Sequence, residues 1–179
     1  HRGGFTFLAL RVAGSLSLTA CGGSSGGSGS SGKPTIKIGF QGPLSGDNAQ
    51  LGINGLDGVK TAISEANKKG DLPFKLDLVS SDDIGLPEQG ATAAQRLIDD
   101  KAVVAVVGPM FSGATKAAER PFSGAGLLSV SPSATNPKLT SLGFNTFYRV
   151  IATDALQGAG AADYHANPMP AQTVYSLHD

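Results

Sequence analysis

The chain has 179 residues, 40% of them hydrophobic and 16% charged, and its fourteen basic and fourteen acidic side chains cancel to a formal net charge of zero. That is enough apolar material for one ordinary globular domain, or one and a part, and it excludes the basic field that nucleic acid or an anionic membrane surface requires. Twenty-five glycines, ten prolines, three tyrosines and no tryptophan describe a loop-rich surface made of backbone and hydroxyls, which suits a small polar ligand.

The first elements in chain order read as address and tether. Arg2 precedes an apolar run from Phe5 to Leu18, interrupted by Arg11, and Leu18-Thr19-Ala20-Cys21 then offers the small residues a signal peptidase needs. The run is too short to span a membrane as a stable helix. Leu-Thr-Ala-Cys resembles the bacterial lipobox, whose cysteine carries the lipid of the mature protein. Cys21 is the only cysteine, so no intrachain disulfide competes for it. Residues 1–21 are therefore expected to be a lipoprotein signal peptide. From Gly22 to Gly32 the chain is only glycine and serine, so residues 22–34 are expected to be a flexible tether.

After Pro34 strand and helix signals alternate. Thr35 to Phe40 is β-branched and apolar and runs into the turn-rich loop Gln41-Gly42-Pro43-Leu44-Ser45-Gly46. Ile53, Leu56, Val59, Ile63 and Ala66 recur at helical spacing, and Gly70 suits the position just past that helix. A second strand is expected over Phe74–Val79, followed by a polar loop, Ser80 to Asp83. Pro87 opens a helix with Ala91, Ala94, Leu97 and Ile98 on one face. Ala102 to Val107 is nearly unbroken apolar sequence, the pattern of a strand buried on both faces of a parallel sheet. Ser112 suits the cap of a helix running toward Pro121, and Leu127 to Val130 reads as a fourth strand. Repeats of this kind predict an α/β fold, a doubly wound, mostly parallel sheet with helices on both faces.

In such sheets ligands bind at the rim formed by the C-terminal ends of the strands. Here that rim carries Gln41 to Gln50, Ser80 to Asp83, Gly108 to Thr115 and Ser131 to Thr135. Its chemistry is hydroxyls, glycines and free backbone. Serine at a helix start can join the first free N–H groups in gripping a carboxylate, and Ser112 and the Ser131–Thr135 loop both offer this, although such residues also serve as plain structural caps. Neighbouring Asp82 and Asp83 point to opposite sides of an extended chain, so loop hydrogen bonding suits them better than acid–base work.

Enzyme readings find no support. No serine sits in Gly-x-Ser-x-Gly at a strand-to-helix turn, Gly39 to Gly46 does not fit a dinucleotide fingerprint, and Gly158-Ala159-Gly160 falls on a helical segment. His1, His165 and His178 lack metal-site spacing. No catalytic residues, metal or cofactor are expected.

Five stretches in order carry a resemblance: residues 37–70 with Gly42-Pro43-Leu44-Ser45-Gly46, residues 80–98 with Asp82-Asp83, residues 103–118 with Gly108-Pro109-Met110-Phe111-Ser112, residues 127–139 with Ser131-Pro132-Ser133-Ala134-Thr135, and residues 147–164. From about Lys37 onward the chain resembles the leucine/isoleucine/valine-binding protein family, type I periplasmic binding proteins of branched-chain amino acid importers. The resemblance implies an extracytoplasmic, two-lobed receptor, anchored here through Cys21, that holds an amino acid, amide or related small solute between its lobes and delivers it to an ABC permease complex. It implies that Ser112 donates to the ligand's carboxylate, that the Ser133 carbonyl accepts from its ammonium, and that Thr135, beside Ala134, serves both groups. Leu51 stands where well-known amino-acid-binding members often place an aromatic residue, which bears on side-chain specificity. Residues 35–148 would form the N-terminal lobe, with Arg149 to Thr153 crossing out of it. Residues 149–179 would begin a second lobe, a helix from Asp154 and a strand over Thr173–Leu177, so the chain is expected to be a fragment that binds its ligand poorly alone. The same fold also serves as the ligand-sensing domain of receptors and amide-responsive regulators, the alternative reading.

Overall fold

The computed structural model describes residues 32–167 together with Thr173 and Tyr175. The signal peptide with Cys21, nearly all of the glycine–serine tether and most of the strand expected over 173–177 lie outside the described residues. The elements are β1 (Thr35–Gly42), α1 (Ala49–Lys69), β2 (Lys75–Asp82), α2 (Pro87–Asp99), β3 (Val103–Val107), α3 (Ser112–Gly124), β4 (Leu128–Ser131), a 3₁₀ turn (Pro137–Ser141), β5 (Phe147–Arg149) and α4 (Asp154–Ala166).

The five strands form one parallel sheet in the order β2-β1-β3-β4-β5. Because βαβ crossovers are right-handed, reversing the direction of winding after β2 places α1 on one face and α2 and α3 on the other. The expected doubly wound α/β architecture is present, and its switch point lies between β1 and β3.

The elements follow from local chemistry. The α1 helix stops where Gly70 takes a left-handed conformation, φ 73°, which costs glycine least. Proline opens α2, where a missing N–H costs nothing. The main core lies between the sheet and the α2/α3 pair: Ala94, Leu97, Val103, Val106, Ala118, Phe122 and Leu127 are buried together. Burial of a side chain the size of Leu97 or Phe122 contributes roughly 1.5–3 kcal/mol. On the opposite face Phe40 is fully buried.

The structure corrects four expectations. The second strand continues through Asp82, because Phe40, Gln41 and Gly42 of β1 pair with Ser80, Ser81 and Asp82; polar side chains had suggested a loop where backbone pairing persists. The third strand is not buried on both faces: Val104 is 49% exposed, and Leu128, Tyr148 and Val150 nearby are also exposed. The helix over α3 passes through Pro121 to Gly124. Finally, Phe147–Arg149 is a fifth strand, short enough to escape notice in sequence, with Tyr148 paired to Val130.

Candidate ligand-binding site

The loops after β1 and β3 leave the sheet on either side of its switch point, where a parallel sheet opens a crevice. Two close approaches shape it. Gly52 in the first turn of α1 lies so near the β1–α1 loop that a Cβ would stand 1.7 Å from the Pro43 carbonyl oxygen. Gly108, at φ 112°, lets the β3–α3 loop pass β1, where a Cβ would meet the Gln41 carbonyl oxygen at 2.1 Å; a side chain is excluded there on both counts. A Cβ on Gly55 would be 3.0 Å from Met110 Sδ, so the start of α1 lies over the β3–α3 loop. Leu51, one turn before Gly55 and on its face of the helix, is 52% exposed at this rim.

Asp82 fastens the β1–α1 loop. Its carboxylate accepts from the Leu44 N–H (2.7 Å), the Ile84 N–H (2.8 Å) and the Ser45 hydroxyl. Burial works to raise this carboxyl, but those hydrogen bonds outweigh it and hold the group below the ordinary carboxylate range. Asp83 turns inward instead: it is fully buried, accepts from Gln41 Nε2 at 3.2 Å and from the Gly85 N–H at 3.0 Å, and burial pushes its carboxyl up.

The other two loops are held together by Ser131, which is fully buried. Its hydroxyl donates to the Pro109 carbonyl of the β3–α3 loop and accepts from the Ala134 N–H at 3.0 Å. The Ser133 hydroxyl donates to the Met110 carbonyl at 2.7 Å. Ser112 is the first residue of α3 rather than its cap: Phe111 holds the cap position, and the Ser112 hydroxyl accepts from the Asn136 N–H at 3.2 Å. The loop after β4 supplies that N–H, which is why the hydroxyl turns outward from its own helix. Its proton remains available to a ligand, as do the first N–H groups of α3, which have no acceptor within the helix. Beside it a cavity of about 170 Å³ is lined by Ser112, Gly113, Lys116, Asn136 and Lys138, among others.

Ser112, Ser133 and Thr135 are thus brought to one rim and half-buried, while Ala134 is fully buried. Among the described residues the Thr135 hydroxyl has no hydrogen-bond partner, while its carbonyl accepts from the Asp154 N–H at 3.0 Å. Such a set can bind a carboxylate through hydroxyl and N–H donors and an ammonium through a carbonyl. It holds no nucleophile–base pair.

Arg149 belongs to this assembly and was read in the sequence only as part of a crossing. Its guanidinium donates to the carbonyls of Ala134 (3.1 Å) and Asn136 (2.6 Å) and to Thr140 Oγ1 (3.1 Å), bracing the Ser131–Thr135 loop from behind. An arginine at the end of a strand, whose nearest acidic residue in sequence, Asp154, opens the next helix, is the available signal, because such a group must find carbonyls instead.

Comparison with known proteins shows the family of the chain. Residues 35–179 match the family described as periplasmic binding protein. The leucine-, isoleucine-, valine-, threonine- and alanine-binding protein of Pseudomonas aeruginosa is 36% identical over 146 residues, 81% of this chain and 39% of that protein. Among solved structures, the branched-chain amino acid transporter substrate-binding protein of Streptococcus pneumoniae in complex with isoleucine is 34% identical with a TM-score of 0.70, covering 74% of this chain and 38% of that one. A substrate-binding protein of Desulfitobacterium hafniense in complex with leucine is 32% identical with a TM-score of 0.66, covering 75% and 39%. The chain therefore spans about two-fifths of the length of the relatives it matches.

Proposed function

Since the chain belongs to the periplasmic binding protein family, we propose that it forms one ligand-gripping lobe of an extracytoplasmic receptor that delivers a branched-chain amino acid or related solute to an ABC importer. The observation that carries this reading is the convergence of Ser112, Ser133 and Thr135 on one rim, with hydroxyl and backbone groups left over from internal bonding. In this reading Ser112 and the α3 N–H groups take the ligand's carboxylate, the Ser133 carbonyl takes its ammonium, and Thr135 contacts both. Leu51 borders the ligand's side chain, and Ala134, fully buried, fixes the spacing between Ser133 and Thr135. Residues 35–148 constitute the lobe, residues from 149 lead into a second one, and Cys21 carries a lipid that holds the receptor at the membrane.

The test is calorimetric. Residues 35–148 replace the corresponding lobe of the isoleucine-binding relative, and the chimera is titrated with leucine, isoleucine, valine, glutamate, an aliphatic amide and urea. Tight binding of an amino acid, lost in the Ser112→Ala, Thr135→Ala double variant, supports the reading; unchanged affinity in the double variant refutes the site. Lipidation is tested separately by labelled palmitate in a bacterial host, where Cys21→Ala must abolish incorporation.

A further inference from the structure

The Ser129 hydroxyl donates its proton to Glu119 Oε1 across 2.6 Å, and both residues have zero exposure. The bond joins the two elements whose ends present the candidate site. Ser112 opens α3 two turns before Glu119, and Ser131 closes β4 two residues after Ser129. The second carboxyl oxygen, Oε2, is buried and has no hydrogen-bond partner among the described residues. The same holds for the hydroxyl of Thr146, whose carbonyl accepts the Ser129 N–H at 2.9 Å.

We propose that Glu119 is a positioning residue for the ligand site: its buried carboxyl, bonded to Ser129, fixes α3 against β4 and so fixes the Ser112 hydroxyl against the Ser133–Thr135 loop. The inference rests on the reading that these residues hold the ligand. Its geometry is that of a buried tie with one bare oxygen. A carboxylate there would be a charge in apolar surroundings with a single hydrogen bond, a situation a protein relieves by keeping the proton or by moving the group.

Among the described residues no charged neighbour offers relief. On α3, Lys116 and Arg120 are exposed; on α2, which packs against α3, Glu88, Arg96 and Asp99 are exposed; in the 3₁₀ turn, Lys138 is exposed. Strand β4 has no titratable residue, and the Arg149 guanidinium of β5 is committed to Ala134, Asn136 and Thr140. Burial alone pushes the Glu119 carboxyl up, to about 7, against the smaller opposing effect of the Ser129 hydrogen bond. The tie therefore holds in mildly acid solution and loosens as the medium becomes alkaline, when α3 shifts to bring the carboxylate toward water and Ser112 shifts with it.

The experiment records ¹⁵N–¹H spectra of the whole chain without ligand from about pH 5.5 to about pH 8.5, alongside the Glu119 side-chain carboxyl carbon. The expected result is that the Gly113 and Thr135 amides shift with the midpoint of the Glu119 carboxyl, and that Glu119→Gln abolishes those shifts. A Glu119 carboxyl that titrates while both amides stay fixed overturns the proposal, as do amide shifts that survive in Glu119→Gln. If that variant does not fold, Ser129→Ala decides: Glu119 must still titrate there but no longer move the amides. A second arm titrates leucine into the chimera at both ends of the pH range. Affinity is expected to fall several-fold toward the alkaline end in the parent and not in Glu119→Gln. Absence of leucine binding at either pH would count against the proposed site, while the amide titration still decides the coupling.

Discussion

Replacing Ser131 by alanine removes a single oxygen atom and should weaken the lobe out of proportion to that change. The Ser131 hydroxyl is fully buried and satisfies two backbone groups from different loops, the Pro109 carbonyl and the Ala134 N–H. Alanine leaves the Ala134 N–H unpaired and the Pro109 carbonyl with only the Thr115 hydroxyl, at 3.2 Å. The unsatisfied buried N–H costs about 1–3 kcal/mol and the lost bond to the carbonyl about 0.5–1.5 kcal/mol, and partial relaxation of the loops recovers some of it, so the loss should be about 2–3 kcal/mol. Ser133→Ala is the internal control: its hydroxyl makes one bond, to the Met110 carbonyl, from a half-buried position, and its loss should cost about 1 kcal/mol. Urea denaturation followed by far-ultraviolet circular dichroism measures both, and the Ser131→Ala midpoint should fall with an unchanged slope. A Ser131→Ala variant no less stable than Ser133→Ala would refute the claim that this hydroxyl joins the two loops.

Three further outcomes follow from the structure. The folded Glu119 carboxyl titrates at about 7 against an ordinary value of 4.5, so the folded state keeps a proton that the unfolded chain has released between these values. Its contribution is complete below the lower value and is lost as pH rises through the upper one, in total about 3 kcal/mol, and urea midpoints should show this slope in the parent and not in Glu119→Gln. Gly52→Ala should prevent soluble expression or lower the melting temperature severely, because its Cβ would overlap the Pro43 carbonyl, whereas Gly58→Ala, with nothing within 4 Å, should stabilise α1 by up to about 1 kcal/mol in a thermal melt. Arg149→Lys should weaken ligand binding by the chimera, extended through Arg149, more than it weakens folding, since a lysine ammonium cannot span the Ala134, Asn136 and Thr140 acceptors in one plane.

Much of this was legible in the chain itself, because the relevant signals are local. The alternation of strand and helix patterns, Pro87, Gly70 and the Gly108-Pro109 break each act on their immediate neighbours, and together they dictate a doubly wound sheet. The order of loops along its rim then places Ser112 beside Ser133 and Thr135. What escaped depends on partners distant in sequence. Nothing near Glu119 in sequence marks it as buried, since it stands between Lys116 and Arg120, yet it lies with Thr115 and Phe122 on the buried side, where Ser129 donates to it. Ser112 suited a cap until the loop after β4 supplied the Asn136 N–H. Val104 sits in an unbroken apolar run that implies two covered faces, but β1 and β3 slip register between Lys37 and Ile38, and Val104 emerges exposed.

That exposed valine has company in Leu128, Tyr148 and Val150, and together they affect how these residues would behave when expressed by themselves. Apolar surface left facing water is what chaperones and proteases recognise, and it also drives folded molecules to stick to one another as concentration rises. The amount of this chain recovered from a host should therefore track quality control more closely than its melting temperature, and a dye that fluoresces on apolar surfaces should light up on the native state before any denaturant is added.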